Sequence, residues 1–99
     1  MRLTTYQRET IHETIKKHFG DDAKVYLFGS RVDDSKKGGD IDLYVECPEG
    51  TEDQLKKSLK ANADIQMKIG EQKIDIVVWS PGDEIRPIHE SARREGIIL

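Results

Sequence analysis

The segment 40–45 alternates between a polar or aromatic residue and an aliphatic one, and this pattern constrains the fold more than any other part of the chain. Successive side chains of a β-strand point to opposite faces of the sheet. Asp40, Asp42 and Tyr44 would therefore share one face, and the three aliphatic residues between them would share the other. The alternation predicts a strand that packs on one side and carries two carboxylates on its accessible side.

Periodic patterns before and after this strand predict two further strands and three helices. Ile11, Ile15 and Phe19 recur at intervals of four, which indicates the first helix. The spans 4–7 and 51–54 both have the capping-box spacing that marks a helix start. The predicted helices are 5–19, a second that starts within 51–55 and ends at 69, and a third from 84 or 87 to 95; the predicted strands are 24–28, 40–45 and 73–79. This order predicts an α/β fold of the α+β type, a small mixed β-sheet with helices packed on one face.

The length and charge of the chain narrow the classes of function. A chain of 99 residues and 11.3 kDa is expected to form a single domain spanning 1–99. Its formal net charge of -3 provides no domain-wide positive field, so a processive polymerase or a general nucleic-acid binder is disfavoured. The single cysteine, Cys47, excludes an intrachain disulfide and a cysteine-based zinc cluster. No apolar run has the length of a signal-peptide core or a membrane span, which predicts a cytoplasmic protein.

Three aspartates lie where the predicted strands could bring them together. Asp40 and Asp42 would project from one face with their backbones about 7 Å apart, and Asp75 interrupts an otherwise apolar strand. Two such charges about 5 Å apart repel by ~3 kcal/mol at an effective dielectric of about 20, so a bound cation is the natural compensation. Carboxylate ligands favour Mg²⁺ or Mn²⁺ over zinc. The three acids are therefore expected to hold two divalent cations for phosphoryl or nucleotidyl transfer.

The Gly29-Ser30 step at the end of the strand 24–28 has the features of a phosphate-binding turn. Glycine lets the backbone approach a phosphate closely, and amides at a helix start donate hydrogen bonds to it. The Ser30 hydroxyl would add a donor, and Arg31 would add positive charge. These three residues are the predicted nucleotide-binding residues.

Three segments of the chain resemble the DNA polymerase beta-type nucleotidyltransferase superfamily, and specifically its minimal nucleotidyltransferase (MNT) branch. The segments are Gly29-Ser30-Arg31, Gly39-Asp40-Ile41-Asp42-Leu43 and Ile74-Asp75-Ile76-Val77. The resemblance implies a polymerase beta-like nucleotidyltransferase fold, catalytic Mg²⁺ bound by Asp40, Asp42 and Asp75, and contacts of Ser30 and Arg31 with the triphosphate of ATP. Members of the branch are typically antitoxins encoded beside a helical HEPN ribonuclease toxin. Some of them transfer AMP from ATP to a tyrosine of that toxin.

Two hypotheses of function follow from these residues and this resemblance. In the first, the protein is an Mg²⁺-dependent protein adenylyltransferase that modifies a hydroxyl, expected to be a tyrosine, of a cognate HEPN toxin in a hetero-oligomer. In the second, it is a non-catalytic antitoxin that neutralises the toxin by binding and occlusion. Transfer to RNA ends or to a small molecule is less favoured, because the net charge is negative and 99 residues leave no second domain to hold such an acceptor.

Other features leave alternatives open or have an ordinary interpretation. Tyr44 shares the face of the acids and would either line the nucleotide pocket or serve a structural role. The apolar residues 97–99 would pack against the domain's own sheet or form part of a partner interface. Lys56, Lys57 and Lys60 on the second helix are interpreted as a solvated face. Arg86, Arg93 and Arg94 would either dock an acidic partner surface or be solvated helix charges, and the second interpretation is favoured.

Overall fold

The computed structural model describes residues 3–29 and 40–99, and it contains all six predicted elements and one short additional strand. The elements are α1 (Thr5–Phe19), β1 (Lys24–Phe28), β2 (Ile41–Glu46), α2 (Gln54–Ile69), β3 (Ile74–Trp79), α3 (Pro87–Glu95) and β4 (Ile97–Ile98). Within the described residues, no helix is long and apolar enough to cross a membrane. The predicted nucleotide-binding residues Ser30 and Arg31 lie outside the described residues.

The strands form one mixed sheet in the order β3-β2-β1-β4. β1 is antiparallel to both β2 and β4, whereas β2 and β3 are parallel. A parallel pair needs a crossover connection, and α2 provides it between β2 and β3. The register of this parallel pair sets Asp42 directly beside Asp75. The predicted fold class, an α+β domain with a small mixed sheet, is confirmed.

The hydrophobic core lies between one face of the sheet and the two longer helices. The aliphatic residues of β2 point into it, as the alternation predicts, and fully burying each such side chain contributes about 1.5–3 kcal/mol. The buried core residues are Ile11, Ile15 and Phe19 of α1, Ala61 and Ile65 of α2, Val25 and Leu27 of β1, Ile41, Leu43 and Val45 of β2, Ile74 of β3, and Ala23 and Cys47 beside the strands. Helices α1 and α2 thus cover one face. The prediction placed all the helices on it, whereas α3 packs on the other face.

The third helix extends the coverage to part of the opposite face. Tyr44 points away from the core by strand alternation, yet it is fully buried. The ring of His89 on α3 lies 5.8 Å from the Tyr44 ring, centroid to centroid. Helix α3 therefore covers the half of this face that carries Tyr44, while Asp42 is only partly buried and Asp75 is exposed. Among residues 3–29 and 40–99, the half of this face that no helix covers is the acidic one.

The two predicted capping boxes have different outcomes. Thr4 caps α1 as predicted, because its hydroxyl accepts from the Gln7 amide at 3.0 Å and its own amide donates to the Gln7 side chain at 2.9 Å. The capping box at Thr51 is wrong. Helix α2 begins at Gln54 with Asp53 as its N-cap in the left-handed region, and no side-chain capping bond forms. The Gln54 side chain instead donates from Nε2 to the Ser80 hydroxyl and the Asp83 carboxylate in the turn that follows β3, and the Thr51 hydroxyl accepts from Lys57 Nζ.

Residues 97–99 pair with the domain's own sheet, as the first of the two alternatives predicts. Ile97 and Ile98 pair with Leu27 and Tyr26 of β1 in antiparallel register. The Leu99 amide continues the pairing, with a 2.9 Å bond to the carbonyl oxygen of Val25. These residues cover the edge of β1 that β2 leaves free.

An ion-pair cluster around Asp64 joins α1 to α2. The Asp64 carboxylate accepts from His18 Nε2 at 3.0 Å and lies 3.3 Å from Lys68 Nζ and 3.5 Å from Lys17 Nζ. The hydrogen bond from His18, reinforced by both lysines, lowers the pKa of Asp64 from 3.8 to about 2. The ionised carboxylate is therefore favoured in the folded protein relative to the unfolded chain.

Asp64→Asn is expected to lower the free energy of unfolding by about 1–2 kcal/mol at pH 7, because this preference for the ionised form is lost. Since the folded pKa of about 2 lies below the unfolded value of 3.8, the stabilisation is complete above about pH 4 and disappears as the pH falls through about 2. Urea unfolding of both proteins at several pH values measures the gap. A gap of constant size from pH 7 to pH 2 would contradict this account.

Candidate active site

The centre of the site is a pair of carboxylates on neighbouring parallel strands. Asp42 of β2 and Asp75 of β3 occupy paired positions, so their side chains leave the same face of the sheet. Burial raises the pKa of Asp42, and the negative charges of Asp75 and Asp40 and a hydrogen bond with Asp75 raise it further. The pair is thus a point of concentrated negative charge, at which a cation or a proton is favoured.

Asp40, the third predicted acid, lies just before β2 and is engaged by a lysine. Its Oδ2 atom is 3.4 Å from Lys73 Nζ; the Lys73 side chain is exposed and the Asp40 side chain is partly exposed. The backbone holds the two segments together, because the Ile41 amide donates to the Lys73 carbonyl at 3.0 Å. Across the ranges 3–29 and 40–99, no three His, Cys, Asp or Glu side chains form a ready-made metal site. Two acids therefore adjoin, and the third sits beside them in an ion pair.

Lys73 is a site residue that the sequence interpretation did not single out. It precedes Ile74 in the chain, so it reaches the edge of the site next to Asp40. Its positive charge lowers the pKa of Asp42 slightly, against the larger opposing effects of burial and of the neighbouring acids. The sequence signal was its position two residues before Asp75, on the strand face that the alternation assigns to the acids.

Gly29 directly follows β1 and lies against Asp42 of the acid pair. Its φ of +77° lies in the region that favours glycine. A Cβ atom at this position would overlap Oδ2 of Asp42 and lie 3.3 Å from its Cγ. The close approach that glycine permits here is made to the Asp42 carboxylate, and the approach of a phosphate to Gly29 stays a prediction.

A stacked arginine fills the other half of the same sheet face. Arg93 of α3 donates from Nε to the Tyr44 hydroxyl at 2.9 Å and lies 3.0 Å from Glu46 Oε1 through Nη2. Its guanidinium also lies 4.6 Å from the centroid of the Trp79 ring, within range of a cation–π contact. The interpretation of Arg93 as a solvated helix charge is wrong.

This cluster decides the role of Tyr44. Because Tyr44 is fully buried beneath Arg93 and His89, it is a structural residue that anchors α3 to the sheet. The sequence offered one indication of this structural role. If a helix covers the face of a strand that carries a tyrosine, the buried hydroxyl needs a hydrogen-bond partner.

Comparison with known protein families gives a match that covers most of the chain. Residues 8–98 match the family model described as "Nucleotidyltransferase domain". The matched range contains all three aspartates and the Gly29-Ser30-Arg31 turn. No curated protein matches the sequence.

Proposed function

Because the chain belongs to the nucleotidyltransferase domain family, we propose that it is an antitoxin that transfers AMP from ATP to a hydroxyl of a cognate HEPN ribonuclease toxin. Nucleotidyl transfer is the general activity that family membership supports. The observation that carries the proposal is the direct pairing of Asp42 with Asp75 beside Gly29. The HEPN partner and a tyrosine acceptor rest on the resemblance of the three motif segments to MNT antitoxins.

The chemistry of the acids fits a hard divalent cation. Burial and neighbouring negative charge raise the pKa of Asp42, so a cation bound beside it would favour its ionised form. Oxygen-only ligands of this kind suit Mg²⁺ or Mn²⁺. Held by Asp40, Asp42 and Asp75, such ions would neutralise the triphosphate and favour ionisation of the acceptor hydroxyl. Lys73 brings further positive charge to the edge where the phosphates would lie.

In the proposed reaction the acceptor oxygen forms a bond to the α-phosphorus of ATP. The bond from that phosphorus to the oxygen bridging to the β-phosphorus breaks, and pyrophosphate leaves with the electron pair. The hydroxyl proton passes to water. The backbone at Gly29 would lie beside the triphosphate, with Ser30 and Arg31 as further contacts, and the carboxylate pair would orient the reacting groups.

A transfer assay tests this proposal directly. The protein is incubated with ATP labelled at the α-phosphate, Mg²⁺ and the purified HEPN protein encoded by the neighbouring gene. Label is expected on the HEPN protein, and Asp40→Asn is expected to abolish it, whereas Asp22→Asn, which changes an exposed aspartate outside the motifs, should leave labelling intact. Persistent labelling by the Asp40 variant would reject the mechanism.

Neutralisation by occlusion is the second candidate function. It is favoured by the ion pair between Asp40 and Lys73, which engages one of the three expected metal ligands. The two functions differ in what happens when the acids are removed. If a variant with Asp40→Asn and Asp42→Asn still inhibits the ribonuclease at equal molar ratio without ATP, occlusion is the function. If inhibition needs both ATP and the acids, transfer is the function.

A further inference from the structure

Helix α2 carries apolar side chains on the face that points away from the core. Its buried side consists of Ala61 and Ile65. On the opposite side Leu55, Leu59 and Met67 are 74%, 62% and 87% exposed. These three residues and the exposed Ala63 follow one another at intervals of four, so they line up along one side of the helix. Leu55 and Leu59 lie in the second helix, as the sequence predicts, but they do not contribute to the domain's own core.

The same helix is basic within an acidic chain. Residues 54–69 contain four lysines and one aspartate, a formal charge of +3, whereas the whole chain has a net charge of -3. Lys56 and Lys60 are exposed and stand one turn apart beside the row of apolar residues. The outward face of α2 is thus an apolar row with a basic border.

This surface lies next to the strand that carries an acid of the active site. β3 is the edge strand of the sheet on this side. A cavity of about 280 Å³ joins the two elements, with Leu55 and Ser58 of α2 on one side and Ile76 and Val78 of β3 on the other. A partner bound to the outward face of α2 would therefore meet the free edge of β3, and it would have to extend around this edge to reach Asp75 on the opposite face of the sheet.

We propose that the outward face of α2, defined by Leu55, Lys56, Leu59, Lys60, Ala63 and Met67, docks a partner protein with an apolar groove bordered by aspartate and glutamate. This inference rests on the proposed function, since the partner is the acceptor protein. Exposed apolar residues in a regular row are typical of a helix that lies in a groove of its partner. Acidic side chains on the partner would face Lys56 and Lys60, which accelerates association and fixes orientation.

Two other occupants fit the surface less well. A second copy of this chain would bring two helices of charge +3 face to face, and like charges in contact oppose association. A nucleic acid would pair with the lysines, but it would leave Leu55, Leu59 and Met67 without apolar contacts. The acidic protein groove satisfies both the charge and the apolar row.

The test measures binding of the purified HEPN protein by isothermal titration calorimetry in two salt concentrations. A variant with Leu59→Gln and Met67→Gln removes apolar contacts but keeps good helix formers, and it is expected to weaken binding about 100-fold. A variant with Lys56→Gln and Lys60→Gln is expected to weaken it about 10-fold at low salt and less at high salt. Ile85→Gln, another exposed apolar residue, is the matched control and should bind like the unchanged protein.

Each result decides the proposal. Unchanged binding in the Leu59 and Met67 variant, or no binding by the unchanged protein, overturns it. A loss confined to the lysine variant indicates a purely charged contact and also overturns it. The proposal is also overturned if light scattering shows that the unchanged protein is a dimer and that the variant with Leu59→Gln and Met67→Gln is a monomer. If binding depends on α2 but no label reaches the partner, the docking surface stands and the transfer function fails.

Discussion

Asp42→Asn is expected to reduce nucleotidyl transfer by about 10³-fold or more while leaving the free energy of unfolding unchanged or higher. Transfer should fall because an amide is a poor ligand for a hard cation in place of a carboxylate. Stability should not fall because burial and the charges of Asp75 and Asp40 disfavour the ionised Asp42, and the variant removes this repulsion. The rate of label transfer and urea unfolding without added metal measure the two effects.

Asp83→Asn is a control, because the surroundings of Asp83 lower the pKa of its carboxyl, whereas those of Asp42 raise it. Hydrogen bonds from Gln54 and Ser80 lower the pKa of Asp83. Its carboxylate accepts from the side-chain Nε2 of Gln54 at 2.9 Å and from the backbone amide of Ser80 at 3.0 Å. This variant should lose stability and retain transfer. If Asp42→Asn lost more than about 1 kcal/mol of stability, a structural role for Asp42 would have to replace the catalytic one.

Gly29→Ala is expected to lower the free energy of unfolding by about 1–3 kcal/mol and transfer by about 100-fold. An alanine at φ +77° is strained, and its Cβ would overlap the Asp42 carboxylate. The carboxylate must then move away from Asp75, or β1 must shift at its end. A displacement of about 1 Å among reacting groups is enough to cost about 100-fold in rate.

Gly50→Ala separates the backbone effect from the contact effect. Gly50 has a similar φ of +82°, but a Cβ there meets nothing within 4 Å. It should share the conformational penalty of about 1 kcal/mol without the loss of transfer. Equal effects of the two substitutions on transfer would show that the contact between Gly29 and Asp42 has no functional role.

Local patterns in the sequence predict most of the fold for a physical reason. Strand alternation in 40–45 and the four-residue spacing of Ile11, Ile15 and Phe19 each follow from the geometry of a single element. They require no knowledge of what packs against it. The acid pair is predictable as well, because Asp42 lies on an alternating strand and Asp75 interrupts an apolar one. Only the register between the two strands needed the structure.

What the sequence did not reveal depends on contacts between elements. Helix α2 has apolar residues on two faces, and the choice of Ala61 and Ile65 for the core comes from packing against α1 and β3. The strand β4 has two residues, too few for any periodicity. The stack of Arg93 on Trp79 requires α3 to cross the far half of the acid-bearing face, which no local pattern specifies.

The parallel register of β2 and β3 also makes catalysis a reporter of correct assembly. A slip of one residue between these strands would turn Asp75 toward Ile65 and the apolar core, and would turn Ile74 and Ile76 toward water. In a chain that folds with the wrong pairing, the acids would not lie together and the aliphatic side chains of β3 would not be buried. Transfer activity would therefore show that β2 and β3 have paired in the register that also completes the core.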